Sequence, residues 1–177
     1  MKAIAVYCGS SLGNSEEYKR GAIKLGEELA KRKIKLIYGG SSVGLMGVIA
    51  DTVLENGGEV IGVIPTVLSD KEIAHQKLTQ LYTVNSMHER KAKMADLADG
   101  FIAMPGGAGT LEELFEIITW AQIGIHSKPI GLLNIHNYYA PLSTLLDHMV
   151  TEGFIKAHFR SLTILESDPG TLLNSFS

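Results

Sequence analysis

The sequence predicts an α/β fold in which a mostly parallel sheet is covered by helices on both faces. The first observation behind this prediction is that short apolar or β-branched runs alternate with helical stretches along all 177 residues. Such alternation is typical of βαβ units, whose successive strands run parallel and are buried on both faces. The second observation is a helical repeat of apolar residues after the fifth run, at Leu111, Leu114, Phe115, Ile118 and Ile125.

Each strand is predicted where a short run is apolar or β-branched. In chain order, these runs are Ala3–Cys8, Lys35–Tyr38, Val60–Ile64, Leu78–Val84, Phe101–Met104 and Ile130–Leu133. Helices are predicted between them, near Ser15–Arg32, Leu45–Asn56, Ser86–Ala98, Thr110–Ile125 and Tyr138–Glu152, and a final helix follows Asp168. The segment Thr66–Lys77 fits neither period. No repeat or linker interrupts the pattern, so we expect residues 1–177 to form a single domain.

Composition places the chain among ordinary globular proteins. Hydrophobic residues make up 45% of the sequence and charged residues 20%, and the formal net charge is −3. A chain without an excess of basic residues is not expected to bind a nucleic-acid polymer. The six histidines show no metal-ligand spacing, so no metal site is expected. No cofactor is expected either.

Cysteine usage and the amino terminus indicate a cytoplasmic protein. Cys8 is the single cysteine, which excludes an intramolecular disulfide, and its place at the end of an apolar run predicts a buried, inert thiol. No run approaches the ~20 apolar residues of a membrane span, so no membrane partner is expected. The opening residues lack the long apolar segment and cleavage site of a signal peptide.

Three glycine-bearing segments follow the first, second and fifth predicted strands. They read CGSSLG, YGGSSVGLMG and MPGGAGTLEE. Ligands of open α/β sheets bind outside the carboxyl ends of the strands, and helix amino termini attract phosphate, so these loops predict a site for a phosphorylated ligand. Neither the P-loop pattern nor the GxGxxG spacing is present. The candidate residues in these loops are Gly9, Ser10, Gly39, Gly40, Gly44, Gly106, Gly107, Ala108, Gly109 and Thr110.

The role of Glu113 has two interpretations from sequence. Thr110 and Glu113 have the spacing of a capping box, in which each side chain satisfies a free amide at a helix start. The same carboxylate, beside a loop suited to phosphate, also fits an essential catalytic group. The pattern leaves both possibilities open.

Arg90 and Lys91 fall on or beside the apolar stripe of their predicted helix. They lie three and four residues after Met87, whereas a solvated basic pair normally occupies the opposite face. One interpretation is that the two long side chains extend along apolar surface to reach water. The other is that the helix lines a cleft and presents the Arg90 guanidinium to a phosphate, a carboxylate or the reacting ligand.

With both motifs in view, the sequence resembles the LONELY GUY (LOG) family, once labelled "possible lysine decarboxylases". The hallmark PGGxGTxxE is present in full at 105–113, and the basic pair appears within Met87-His88-Glu89-Arg90-Lys91. The similarity runs from CGSS through YGGSSVGLMG to TWAQIGIHSKPIGLLN and EGF. It implies a Rossmann-like fold and a homodimer. It also implies phosphoribohydrolase activity that cuts the N-glycosidic bond of N6-modified adenosine 5′-monophosphates, which releases the base and ribose 5-phosphate.

The resemblance also implies roles for individual residues. Arg90 and Glu113 match the two positions regarded as catalytic in the family. Positions implied to contact the substrate are Glu72, Arg90, Lys91, Gly107, Ala108, Gly109, Thr110, Leu111, Glu112, Glu113 and Thr119. We expect the glycine loop to hold the 5′-phosphate and Glu113 to stabilise positive charge at C1′. Arg90 would hold phosphate or stabilise the departing base.

Two other functions can be weighed against the sequence, and one of them fits it in part. A nucleotide-binding or sensing module without catalysis would use the same glycine loops. A pyridoxal-phosphate lysine decarboxylase, by contrast, needs a Schiff-base lysine, and nothing in the sequence singles one out. A homodimer is also indicated by the predicted helix Thr110–Ile125, because Phe115, Ile117, Trp120 and Ile123 place apolar residues on more than one of its faces.

Overall fold

Seven strands form one sheet, and every neighbouring pair runs parallel. The computed structural model describes residues 1–69 and 73–176. The sheet order is β4-β3-β2-β1-β5-β6-β7. The strands are β1 (Ala3–Tyr7), β2 (Lys35–Tyr38), β3 (Val60–Pro65), β4 (Gln80–Val84), β5 (Gly100–Ala103), β6 (Ile130–Leu133) and β7 (Thr163–Glu166). The helices are α1 (Glu16–Lys31), α2 (Gly44–Glu55), α3 (Thr66–Ser69), α4 (Met87–Leu97), α5 (Ala108–Gln122), α6 (Ala140–Thr151), α7 (Ala157–Arg160) and α8 (Pro169–Asn174), with a 3-10 turn at Ile135–Asn137.

Helices cover both faces of the sheet, as the alternation of elements predicts. Side chains alternate along β1, so that Ile4 and Val6 enter one core while Ala5 and Tyr7 enter the other. The first core is closed mainly by α1, α2 and α8, and the second by α4 and α5. The prediction of an α/β, Rossmann-like fold with helices on both faces is confirmed.

The predicted elements are present, and the differences have local causes. The strand expected from Leu78 begins at Gln80, because β4 is an edge strand whose residues are exposed or half-buried and carry a weak apolar pattern. Strand β7 was not predicted, since it is also an edge strand and buries only Thr163 fully. Helix α5 ends at Gln122 rather than Ile125, because Gly124 adopts a left-handed backbone that stops it.

The described ranges, 1–69 and 73–176, contain no helix that combines the length and the apolar character needed to cross a membrane.

The chain reverses its direction of winding between β1 and β5. From β1 the chain proceeds to β2 on one side, whereas from β5 it proceeds to β6 on the other. The loops that leave two adjacent strands therefore separate and open a crevice at their carboxyl ends, which is where ligands of this architecture bind. The Gly9 amide donates to the Pro105 carbonyl (3.0 Å), and the Leu45 amide donates to the Gly9 carbonyl (3.1 Å). These bonds tie the three glycine-bearing loops together at the crevice.

Candidate active site

A cavity of about 460 Å³ opens at this crevice. Its walls come from the loops after β1 and β2, the end of β3, helix α4 and the first turns of α5. The structure brings ten of the predicted site residues together along it: Gly9, Ser10, Gly39, Arg90, Gly107, Ala108, Gly109, Thr110, Glu112 and Glu113.

The glycine loop forms the amino terminus of α5. Gly107 is the N-cap, and no side chain caps the helix, so the free N–H groups of its first turn point to the cavity end of the helix. A Cβ on Gly107 or Gly109 would meet no atom within 4 Å, so both glycines border open space. At Gly106 there is no free space for a side chain, because a Cβ there would lie 2.1 Å from Thr110 Oγ1. The arrangement suits an anion that approaches the backbone closely.

Two tyrosine hydroxyls hold this loop in place by hydrogen bonds to its carbonyl groups. The Tyr138 hydroxyl donates to the Gly106 carbonyl, and the Tyr139 hydroxyl donates to the Met104 carbonyl at 2.6 Å. The Asn134 side chain accepts a hydrogen bond from the Tyr139 amide at 2.7 Å, which orients the pair. No sequence motif singles out these tyrosines. Their position in the segment that follows β6, the neighbour of β5, was the signal that could have revealed the role.

Arg90 is buried and held in one orientation. Its side chain is only 10% exposed, and its Nε donates to the Val63 carbonyl at 3.1 Å. A Cβ on Gly39 would lie 1.9 Å from Arg90 Nη2, so the guanidinium occupies the space that the glycine leaves free. With these two supports, Nη1 lies 3.3 Å from Glu113 Oε1. The cleft interpretation of Arg90 is the one the structure adopts.

Glu113 is a buried carboxyl and takes no part in helix capping. Because α5 begins at Ala108, Glu113 lies in the second turn, and Thr110 and Glu113 form no capping box. The capping box lies instead at α4, where the Glu89 amide donates to Ser86 Oγ and the Asn85 amide donates to the Glu89 carboxylate. Burial raises the pKa of Glu113 to about 7, against the opposing effect of the Arg90 charge.

Lys91 pairs with two carboxylates of α5. Its Nζ lies 2.5 Å from Glu112 Oε1 and 3.2 Å from Glu116 Oε1, and its side chain is 7% exposed. The hydrogen bond to Glu112 is the main cause that raises the pKa of Lys91, so the ammonium stays charged at neutral pH. Lys91 therefore contacts α5 beside the cavity, whereas Arg90 contacts α5 within the cavity.

The other end of the cavity is apolar. Side chains from the loop after β2, from α2 and α3, from the segment before β4 and from the start of α4 form this end; they are Val43, Met46, Leu68, Ile73 and Met87. Cys8 also lines the cavity and is buried, as predicted, and burial raises the pKa of its thiol far above the usual range.

Several predicted site residues do not line the cavity. They are Gly40, Gly44, Gly106, Lys91, Leu111 and Thr119. Gly44 and Gly106 instead allow close approach of the loops, since a Cβ on Gly44 would lie 2.2 Å from the Ser10 backbone. Thr119 is exposed on α5, and its hydroxyl donates to the Phe115 carbonyl. Glu72 lies outside the described residues. For these positions, substrate contact stays a prediction.

The chain is similar in sequence to known proteins. A family profile described as "possible lysine decarboxylase" matches residues 46–176. A cytokinin riboside 5′-monophosphate phosphoribohydrolase of Arabidopsis thaliana is 53% identical over 92% of this chain and 76% of that protein. A probable enzyme of the same name from Oryza sativa subsp. japonica is 49% identical over 98% of this chain and 76% of that protein.

The fold recurs in proteins of more distant sequence. The molybdenum cofactor binding protein of Rippkaea orientalis superposes with a TM-score of 0.73 at 19% identity, over 98% of this chain and 94% of that chain. At that identity the likeness concerns the fold alone. Because the profile covers most of the chain and curated relatives share about half of its residues, the chain belongs to the LOG family, the group whose profile is described as possible lysine decarboxylase.

Proposed function

We propose that this protein hydrolyses the N-glycosidic bond of N6-modified adenosine 5′-monophosphates, as a phosphoribohydrolase of the cytokinin-activating type. The products are the free base and ribose 5-phosphate. The observation that carries the proposal is that Arg90 and Glu113 face each other at 3.3 Å inside a cavity bordered by the free amino terminus of α5. The names of the relatives, which are about half identical, support the same activity.

The 5′-phosphate binds at the amino terminus of α5. The N–H groups of Ala108, Gly109 and Thr110 belong to the first turn, where the helix dipole favours an anion. Gly107 and Gly109 leave open space on this side. The phosphate thereby fixes the ribose near the second turn of α5, which carries Glu113.

Glu113 acts on the sugar. Cleavage breaks the bond between C1′ and the base nitrogen, the electron pair leaves with the base, and positive charge develops at C1′. A fixed carboxylate beside that carbon stabilises the charge and orients the attacking water. The water oxygen bonds to C1′, and a water proton is released as the departing base takes one up.

Arg90 acts at the same centre. Its guanidinium holds Glu113 in place and offers further N–H groups to the cavity. It stabilises negative charge on the departing base or on the phosphate. The apolar end of the cavity, formed by side chains such as Met46, Ile73 and Met87, suits the flat base and an apolar N6 substituent.

A direct assay tests this function. The purified protein is incubated with AMP and with N6-isopentenyl-AMP, and free base and ribose 5-phosphate are quantified. Release of both products in equal amounts, lost in Glu113→Gln, is the expected result. Nucleotide binding without release would instead favour the non-catalytic module.

We propose that the active form is a homodimer built on α5. Ile117 is buried within the chain, but Ile123 and Ile125 at the end of this helix are 66% and 63% exposed. Thr119, which does not line the cavity of its own chain, lies on the same helix and would border the partner's site. Light scattering at micromolar concentration is expected to give the dimer mass, and Ile123→Glu with Ile125→Glu the monomer mass. A monomer for the unmodified chain contradicts this proposal.

We place the enzyme in the cytoplasm and treat residues 1–177 as one hydrolase domain. The free, buried thiol of Cys8 is consistent with a reducing compartment. Fractionation of the source cells tests the location.

A further inference from the structure

One wall of the apolar end comes from residues that precede β4 and lie outside the helices and strands. Ile73 is the cavity residue of this segment. Two backbone hydrogen bonds hold it: the Ser42 amide donates to the Ile73 carbonyl at 2.8 Å, and the His75 amide donates to the Gly40 carbonyl at 2.9 Å. The residues between these two bonds pair as an isolated antiparallel bridge. The chain around Ile73 is therefore attached to the loop after β2 through one short bridge.

His75 adds a side-chain attachment next to this bridge. Its side chain is only 6% exposed. The Lys77 amide donates to Nδ1 at 3.1 Å, so the ring proton lies on Nε2, which donates to Asp51 Oδ1 at 3.0 Å. Asp51 belongs to α2, the helix whose first turn carries Met46 of the apolar end. The histidine thus joins the segment to a helix that itself contributes to the apolar end.

The side chains of this pair act from outside the cavity. His75 and Asp51 are not among the residues that line it, whereas Ile73, two positions before the histidine, is one of them. A buried ring with both nitrogens hydrogen-bonded is held in a single orientation, so it fixes the backbone next to Ile73. The contact therefore acts on the shape of the apolar end and not on the Arg90–Glu113 pair.

We propose that His75 is a positioning residue that sets specificity for the N6 substituent of the nucleotide. It holds Ile73 at the apolar end, so that an apolar substituent is enclosed and does not stay in contact with water. The identity of the ligand rests on the proposed function. A wall that is already ordered binds an apolar group more tightly, because less conformational entropy is lost on binding. The phosphate end has separate supports, in the bond between the Gly9 amide and Pro105 and in the Tyr138 hydroxyl.

Binding of three probes to a His75→Leu variant tests the proposal. The probes are ribose 5-phosphate, AMP and N6-isopentenyl-AMP, and calorimetry is performed on a Glu113→Gln background so that the nucleotides are not consumed. His75→Leu should weaken the binding of N6-isopentenyl-AMP about tenfold and that of AMP at most about threefold, because the loss grows with apolar contact to the wall. Ribose 5-phosphate should bind within about twofold of the unmodified affinity, because its phosphate contacts the other end of the cavity.

A kinetic measurement with Glu113 intact gives a second readout. In His75→Leu, KM for N6-isopentenyl-AMP should rise about tenfold while kcat stays within about twofold, because the lost interaction is made equally in the ground state and the transition state. A loss in kcat with KM unchanged would place the effect at the reacting atoms and would overturn the proposal.

Two further variants examine the hydrogen bond itself. The preference measured is the ratio of the AMP dissociation constant to that of N6-isopentenyl-AMP. His75→Gln offers an amide N–H to Asp51 and should restore most of this preference. Asp51→Ala should lower it about threefold, and the double variant with His75→Leu should be no weaker than His75→Leu alone, because the two side chains form one contact.

His126 supplies a matched control. Its Nδ1 accepts a hydrogen bond from the Lys128 amide at 3.1 Å, and its Nε2 lies 2.9 Å from the Ile117 carbonyl oxygen. This is the same pattern at a position that does not line the cavity. His126→Leu should lower the midpoint of unfolding and leave the preference unchanged. A preference that falls as far as in His75→Leu would mean that it follows stability alone, and this would overturn the proposal.

The results that contradict the role of His75 differ from those that contradict the hydrolase. Unchanged affinities in His75→Leu, or equal losses for the two nucleotides or for all three probes, overturn the proposal. If His75→Leu does not fold, an Asp51→Ala variant with the unmodified preference overturns it instead. An unmodified chain that binds both nucleotides but releases no base contradicts the proposed function, whereas the preference still decides the role of His75.

Discussion

Glu113 is the residue on which the proposed chemistry depends. It is a carboxyl group buried in a cavity, its ion-pair partner is Arg90, and it serves no helix cap. Burial of this kind without a structural purpose is typical of functional groups. Three predictions follow at this scale, for the carboxylate itself, for its ionisation and for the support of its partner.

Replacing Glu113 by Gln should lower kcat by about 10²-fold or more, because the amide keeps the shape of the side chain but not the negative charge at C1′. Far-UV circular dichroism should be unchanged. Glu55→Gln, on the exposed end of α2, is the matched control and should keep full activity. An active Glu113→Gln enzyme would remove the carboxylate from the mechanism.

Activity should rise with pH through about 7. Burial raises the pKa of Glu113 to about 7, so below that pH the group is protonated and neutral, and above it the catalytic carboxylate is present. A pH profile of kcat/KM, which reports the ionisations of the free enzyme, measures this transition, and residual activity of Glu113→Gln should lack it. A wild-type profile that is flat between pH 5 and 8 would contradict the assignment.

Gly39→Ala should reduce activity because the added methyl group displaces the Arg90 side chain. The new Cβ would lie 1.9 Å from Nη2 and displace the guanidinium from Glu113. The test is a double-mutant cycle: on an Arg90→Ala background, Gly39→Ala should have no further effect on kcat, because the clash is gone. Equal losses on both backgrounds would mean that the methyl group obstructs the substrate directly.

At the scale of elements, the glycine loop is held in place by hydrogen bonds from the segment that follows β6, the strand next to β5. Tyr138 and Tyr139, after β6, hold the carbonyls of Gly106 and Met104, so the phosphate loop is braced by contacts more than 30 residues away. A loop rich in glycine has many accessible conformations, and bracing reduces the entropy lost when the ligand binds.

Tyr138→Phe should therefore weaken the binding of ribose 5-phosphate several-fold, with little loss of stability because this side chain is partly exposed. Calorimetry measures the affinity. Tyr82→Phe on β4 is the control, since that side chain lies outside the cavity and should bind as the unmodified chain does. Equal affinities in Tyr138→Phe and the unmodified chain would show that the loop holds its shape unaided.

At the scale of the whole molecule, the buried carboxyl should lower stability as pH rises. The folded chain retains the Glu113 proton up to about pH 7, whereas the unfolded chain releases it near pH 4.5. Between these values the native state binds more protons, so the free energy of unfolding falls with pH. The interval between the two pKa values corresponds to about 3 kcal/mol.

Denaturant unfolding at several pH values measures this effect. The wild type should lose up to about 3 kcal/mol relative to Glu113→Gln between pH 4.5 and 7.5, because the glutamine does not titrate. Parallel curves for the two proteins would show that Glu113 titrates normally.

Much of the fold is determined by the local pattern of apolar residues in the sequence. The alternation of apolar runs and helical repeats fixes six of the seven strands and the parallel sheet, because residues such as Ile4 and Val6 must be buried on strands. The glycine loops and the PGGxGTxxE motif indicate where an anion binds. Edge strand β7 escapes prediction because an edge strand needs few buried residues.

Only the tertiary structure decides which side chains meet. Arg90 with Glu113, Lys91 with Glu112 and Glu116, and Tyr138 with Gly106 are pairs separated by more than 20 residues in sequence. Their contact depends on the reversal between β1 and β5, which places α4 beside α5 and the chain after β6 behind the loop. A periodic pattern specifies the face that a helix buries, but not the partner that it buries against. Whether Glu113 caps its helix or faces Arg90 in a cavity could be decided only once that partner was known.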